Sequence, residues 1–329
     1  ESLSQNYARP LTVLAVILLV VAVFALIGWA YSAGQTSRIT TTTTSTTTAT
    51  STETSEATST TITASTITST ATITTTTTAY PSTPSSNLTT HYVTLSKAYA
   101  FLVSNYNSDK GLISETTGSL TYWLYSDNFL ATIALRQVGP LGPYLMAIAN
   151  NISATIQSYA PGLGNATNQY MVLSSSWKSP CIFGSAGSYT VAQTSNGQIN
   201  VTLNNSTGTL SDSGYADIAF LTAVCLQNQG NHSEALTAFN LGAGFFDGTG
   251  FADAPFADSG GQYQTYKLAL FIYACRLLSQ PVNQAALATL LKMQAPDGGF
   301  YTGYYSDLTH GSTMSNTETT SLAILALSG

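Results

Sequence analysis

Carboxylates are scarce in this sequence, so where they stand is informative. Among 329 residues only 15 are Asp or Glu and 9 are Lys or Arg. Three of the acids, Asp127, Asp217 and Glu318, stand at the start of similar runs of small and aliphatic residues: DNFLATIAL, DIAFLTAVCL and ETTSLAILAL. Asp253 and Asp258 lie in the loop ahead of a fourth such run, YKLALFIYA. Glycoside cleavage requires two carboxyl groups roughly 5–9.5 Å apart, one protonated to assist the leaving group and one ionised as base or nucleophile. Helix starts that converge on one mouth would supply such a pair. Aromatic residues flank the same acids. Tyr122, Trp123 and Tyr125 precede Asp127, and Tyr301, Tyr304 and Tyr305 follow the sequence DGGF. Flat rings of this kind suit stacking on sugars, and they also fill helix junctions. His310, in the loop DLTHGS, has the chemistry of a ligand or proton shuttle. The acids have a plainer assignment too, because Asp caps helices and acids in a first turn suit the helix dipole. Both assignments stand at this level.

Other chemistries find little support. His91, His232 and His310 are far apart in sequence and the three cysteines have no paired spacing, so no metal site is expected. There is no P-loop and no G-x-G-x-x-G, and no cofactor is expected. With so few cations the chain has no basic face, which excludes nucleic acid as a partner. Cys181, Cys225 and Cys275 permit one bridge and leave one thiol over. Cys225 and Cys275 sit within apolar helical runs, where a buried free thiol is the default.

The elements that must position these residues are mainly helical. Apolar spacing and breakers predict helices at about 94–106, 127–137, 142–159, 215–229, 232–246, 263–279, 283–294 and 316–328. Within 161–213 the pattern changes, and SYTVAQTSNGQINVTLN alternates around Asn196-Gly197, which predicts a β-hairpin inserted into the helical domain. Turns of D-x-G type at Asp109, Asp247 and Asp297 each follow one apolar helix and precede another. In these turns Asp accepts backbone N–H bonds and Gly takes the left-handed conformation. Such repetition predicts stacked helical hairpins, each burying its apolar face on the next.

The segment QAPDGGF at Gln294–Phe300, followed by TETTSLAILAL, resembles the repeat of α/α-toroid proteins of the prenyltransferase and terpene-cyclase type. That resemblance implies a mainly α fold: an α/α toroid of helical hairpins whose short inner helices ring a central cavity. It does not carry the chemistry of those proteins. There is no D-x-D-D acid motif and no Asp, Cys and His set for zinc, and Phe300 stands where the cyclase repeat has Trp. Toroids also host glycoside hydrolases and polysaccharide lyases, an analogy of fold alone.

Ahead of this domain lie three segments of a different kind. Residues 1–10 are polar, and residues 11–33 hold no charge over 23 positions, which predicts a transmembrane helix at 11–34. Residues 35–90 are dominated by Thr and Ser, which predicts a disordered, glycosylated stalk. The remainder, 91–329, is the folded head. N-x-S/T sequons occur at Asn87, Asn151, Asn165, Asn200, Asn204, Asn205 and Asn231, all C-terminal to the apolar run. They place the head outside the cell and predict a membrane-anchored surface glycoprotein. The arrangement of anchor, stalk and head resembles that of archaeal surface proteins with Thr-rich linkers. Expected partners are membrane lipid, or copies of the chain through the N-terminal helix, and a glycan ligand at the head. Assembly into a surface layer or appendage is the non-catalytic alternative.

Overall fold

Four apolar runs in this chain have no polar face, and a helix that is apolar all round must be buried. The computed structural model describes residues 46–53, 65–72, 86–119, 122–137, 142–159, 169–174, 181, 183–194, 197–209, 214–312 and 314–328. Its helical part is mainly α. The long helices are α1 (Ser86–Ser104), α2 (Tyr125–Arg136), α3 (Pro143–Tyr159), α4 (Ala216–Asn228), α5 (His232–Ala243), α7 (Thr265–Leu277), α8 (Gln284–Lys292) and α9 (Thr317–Leu327), with a short α6 at Ala254–Asp258. The apolar runs are α2, α4, α7 and α9. In α9 every residue except Glu318 is buried. These four lie inside. Helix α2 packs on α9, α9 on α7, and α7 on α4, while a 3-10 turn at Gln169–Leu173 touches both α4 and α2. Outside them α3 lies on α2, α5 on α4, α8 on α7 and α1 on α9.

Short strands fix how the inner helices start. Tyr263–Gln264 pairs with Gly303–Tyr304 just before α7, and Ser315–Asn316 pairs with Phe300–Tyr301 just before α9. An isolated bridge links Thr116 to Asn316. The predicted hairpin is present as β6 (Gly184–Thr194) and β7 (Gly197–Thr209). Thr194 pairs with Gly197, so the reversal falls one position earlier than Asn196-Gly197 suggests. Strand β5 (Tyr122–Leu124) adds to β7 in parallel, which ties the insert to the start of α2.

The D-x-G turns form as expected at two places. Asp247 accepts from the amides of Thr249 and Gly250, and Asp297 from that of Gly299. At the first turn the acceptor is Asn107, not Asp109. Gly298 has φ +94° and presses on α1, where an added Cβ would sit 2.4 Å from the Lys97 carbonyl oxygen. Gln294 Nε2 also donates to the Thr94 carbonyl at 2.8 Å. The turn before the last helix thereby holds the first helix.

The free-thiol assignment fails for Cys225, which is bonded to Cys181, whereas Cys275 is free and buried. Cys225 faces the irregular segment that brings Cys181 beside it, a long-range neighbour that helical periodicity does not encode. Two segments of the expected stalk are among the described residues. Thr46–Glu53 and Ser65–Thr72 pair antiparallel within a separate unit, Trp29–Ser85. Thr is β-branched and suits an extended ladder even where little apolar surface exists. Helix α1 begins at Ser86, within the range expected for the stalk. Among the described residues no helix is long and apolar enough to cross a membrane, and the expected span at 11–34 lies outside them.

Candidate functional site

Each inner helix is entered from extended backbone, at Leu124, Tyr215, Gln264 and Asn316. The first three make no side-chain cap, and the fourth caps α9 by accepting from the Thr319 amide. The acids of the first turns are therefore not caps. Asp127 is the third residue of α2, Asp217 the second of α4 and Glu318 the second of α9. In α7 the matching positions hold Tyr266 and Lys267. Four helix starts thus present three carboxyl groups, a phenol and an ammonium group.

Bonds gather these groups into two clusters. Tyr266 donates to Asp217 Oδ2 at 2.9 Å, and Lys267 Nζ lies 3.7 Å from Asp217 Oδ1. The same ammonium group is 2.5 Å from Asp253 Oδ2, which also accepts the Ala216 amide at 2.9 Å. Lys267 is only 1% exposed, so its charge is held by these carboxylates and not by water. On the other side, the Tyr170 hydroxyl donates to Glu318 Oε1. Tyr170 comes from the 3-10 turn that touches α2 and α4.

A strap at 112–117 joins the starts of α2 and α9. Asn128 accepts the Ile113 amide at 2.8 Å and donates to the Ile113 carbonyl at 3.0 Å. Just beyond Ile113, the Glu115 carbonyl accepts the Thr317 amide at 2.8 Å, and the Ser114 carbonyl accepts the Thr317 hydroxyl at 2.7 Å. The strap thus runs from the neighbour of Asp127 to the neighbour of Glu318 and carries a third carboxyl group, Glu115, between them.

The electrostatics follow from this crowding. Burial pushes the Asp127 carboxyl well above its ordinary value, and the charges of Glu318 and Glu115 push the same way against a hydrogen bond from Ser126. Burial raises Glu318 too; the Tyr170 bond opposes the rise, while Glu115 and Asp217 add to it. Glu115 is raised by burial. Burial and the neighbouring acids also hold Tyr170 and Tyr266 as neutral phenols. Asp127 is 1% exposed and its Oδ2 has no hydrogen-bond partner, whereas Glu318 and Asp217 keep some accessible surface. The arrangement can therefore store a proton on the Asp127 and Glu318 pair beside an ion-paired Asp217.

Of the residues expected from sequence, Asp217 and Asp253 share Lys267, Glu318 is bonded to Tyr170, and Asp127 lies within reach of the Glu318 charge. Asp258 ends α6 and is exposed, away from them. Trp123 is buried, Tyr125 half-buried, and the Tyr122 side chain lies outside the described residues. Tyr304 is a core residue, stacked on Tyr263 at 5.3 Å and donating to the Thr249 carbonyl. Tyr301 stacks on His310 at 4.1 Å, and Tyr305 is exposed. His310 Nδ1 is bonded to the Ser312 carbonyl. Among the described residues no group of three or more His, Cys, Asp or Glu is placed to hold a metal ion.

Glu115, Tyr170, Tyr266 and Lys267 were not expected. A single cation inside the apolar run TYKLALFIYA was a readable signal for Lys267, since a charge there must find a buried partner. Comparison with known proteins adds no assignment: no protein-family profile, no characterised protein and no solved structure matches this chain.

Proposed function

We propose that this chain is a membrane-anchored surface glycoprotein whose helical head is a small α/α toroid that binds and hydrolyses a glycan outside the cell. The single observation that carries this reading is the gathering of Asp127, Glu318 and Asp217 at the starts of three of the four inner helices, close enough for their charges to act on one another. In such a mechanism Glu318 is the proton donor. It keeps accessible surface, and burial raises its carboxyl, with the charges of Glu115 and Asp217 adding to the rise and the Tyr170 bond opposing it. Asp217, held by Lys267 and Tyr266, serves as base or nucleophile. A raised acid beside an ion-paired carboxylate is the division of labour that glycoside cleavage requires. The extracellular setting is supported by the Cys181–Cys225 bridge, which suits an oxidising compartment, and by exposed sequons at Asn151 and Asn231.

A second reading has its own support, because Glu318 and Asp217 already have partners inside the protein. A head locked by such a network serves as a rigid adhesive or structural unit of a surface coat or appendage. The two readings part on turnover. The full chain in detergent, incubated with a polysaccharide panel at acidic and neutral pH, is expected to release reducing ends. Glu318→Gln and Asp217→Asn are expected to lower the rate at least a hundredfold while keeping the circular dichroism of the folded protein. A folded wild-type chain with no turnover across the panel would move the assignment to the adhesive or structural role.

A further inference from the structure

Charge is so sparse in this chain that its sign near the proposed site is a choice the sequence makes at a few positions. Around the starts of α2, α4, α7 and α9 stand Asp127, Glu318, Asp217, Asp253 and the strap residue Glu115. One cation, Lys267, accompanies them. It is buried and committed, 2.5 Å from Asp253 and 3.7 Å from Asp217. No other Lys or Arg bonds to this group among the described residues. The unpartnered, buried Oδ2 of Asp127 is a further acceptor in the same group.

From this geometry we infer that the head takes a glycan with no carboxylate or sulfate beside the bond it engages, and that its chemistry is hydrolysis and not β-elimination. The inference rests on the glycan reading above and narrows its substrate class. Elimination removes the proton α to a uronate carboxyl group, and that step requires the substrate carboxylate to be neutralised so that the departing proton leaves a stabilised enolate. A site that performs it needs a free cation or an uncommitted donor facing the substrate. Among the described residues the one cation bonded to this group already serves two acids. A uronate would instead add a negative charge to a group that carries net negative charge. Two like charges about 8 Å apart at an effective dielectric of about 20 repel strongly enough to weaken binding roughly thirty-fold. Hydrolysis of an uncharged sugar meets no such penalty. It adds water across the C–O bond: one carboxyl proton goes to the leaving oxygen, hydroxide equivalent goes to the anomeric carbon, and the water's second proton returns to a carboxylate.

A matched polymer pair tests this. Methyl-esterified and de-esterified homogalacturonan oligosaccharides share one linkage and differ in charge, and neutral glucan and N-acetylglucosamine oligosaccharides extend the uncharged set. Binding to the full chain is measured by calorimetry, and products are assayed for reducing ends and for unsaturated sugars. The expected result is binding to at least one uncharged member, with any de-esterified counterpart weaker by about thirty-fold or more, and no unsaturated product. Preference for the acidic member, or any unsaturated product, would overturn the inference while leaving the glycan reading intact. Binding to no oligosaccharide at all would overturn the glycan reading, and this inference with it. Lys267→Met provides a second arm, read by binding of the same uncharged oligosaccharide. If that variant unfolds, the charge-pair comparison on the wild-type chain still decides the matter.

Discussion

The surroundings of Asp127 and Glu318 favour their protonated forms, and this links the candidate site to stability. Both have folded values above their ordinary 3.8 and 4.5, through burial first and neighbouring acids second. Just above those ordinary values the folded state binds more protons than the unfolded state, so stability falls as pH rises. The contribution is present in full in acid and is lost on the way to the raised folded values, about 1.4 kcal/mol for each unit of difference. Asp247 runs the other way. Burial raises it, but bonds from Tyr263 and from the Gly250 and Thr249 amides outweigh that and lower it, so its contribution fades only in strong acid. Thermal melts from pH 4 to pH 8 should therefore show a falling melting temperature. Asp127→Asn, which keeps the shape and removes the titration, should flatten that slope and raise stability at neutral pH. A wild-type profile that is flat or rising over this range would show that the pair is not held protonated. The sequence made these acids visible through their scarcity, but not their relation to Glu115 and Tyr170. Those two lie on a strap and a 3-10 turn, where no periodicity marks which way a side chain faces.

At the scale of elements, the eight long helices were legible because each carries a sustained apolar run between breakers. Their ends mostly fall within two or three residues of expectation, except that α1 starts at Ser86 and not near 94. What local pattern left hidden was pairing between distant segments. Strand β5 joins β7 in parallel, Thr116 bridges Asn316, and Cys181 bonds Cys225. The disulfide is the most consequential of these. It closes a sequence separation of 44 and fastens the segment before β6 to the core of α4, the helix whose first turn carries Asp217. By chain entropy such a closure is worth about 4 kcal/mol. Cys181→Ser paired with Cys225→Ala should accordingly lower the urea midpoint by an amount equivalent to roughly 2–5 kcal/mol. The same shift should follow when the wild-type chain is reduced, and no shift under reductant would mean that the bridge does not form in the native protein.

For the whole molecule, the proposed membrane anchor raises the question of which side the head occupies, and the surface gives a means of deciding it. Seven sequons follow the apolar run at 11–34 and none precedes it. Asn165 lies outside the described residues, Asn87 falls in α1, and Asn200, Asn204 and Asn205 fall on β7. Asn151 on α3 and Asn231 at the start of α5 are exposed. The Asn231 side chain makes no capping bond, so a glycan there would cost the helix no cap. Asn151 donates to the Tyr106 hydroxyl through Nδ2, and a glycosylated amide keeps one N–H with which to do so. Oligosaccharyl transfer acts only on the outer face of the membrane, where a disulfide also persists. An extracellular head therefore predicts both modifications on the same molecules. Mass spectrometry of the chain recovered from its native membranes should find Asn231 carrying a glycan and Cys181 joined to Cys225. Unmodified sequons together with reduced cysteines would place the head on the inner side, and a glycan-degrading role at the cell surface would then have no access to its substrate.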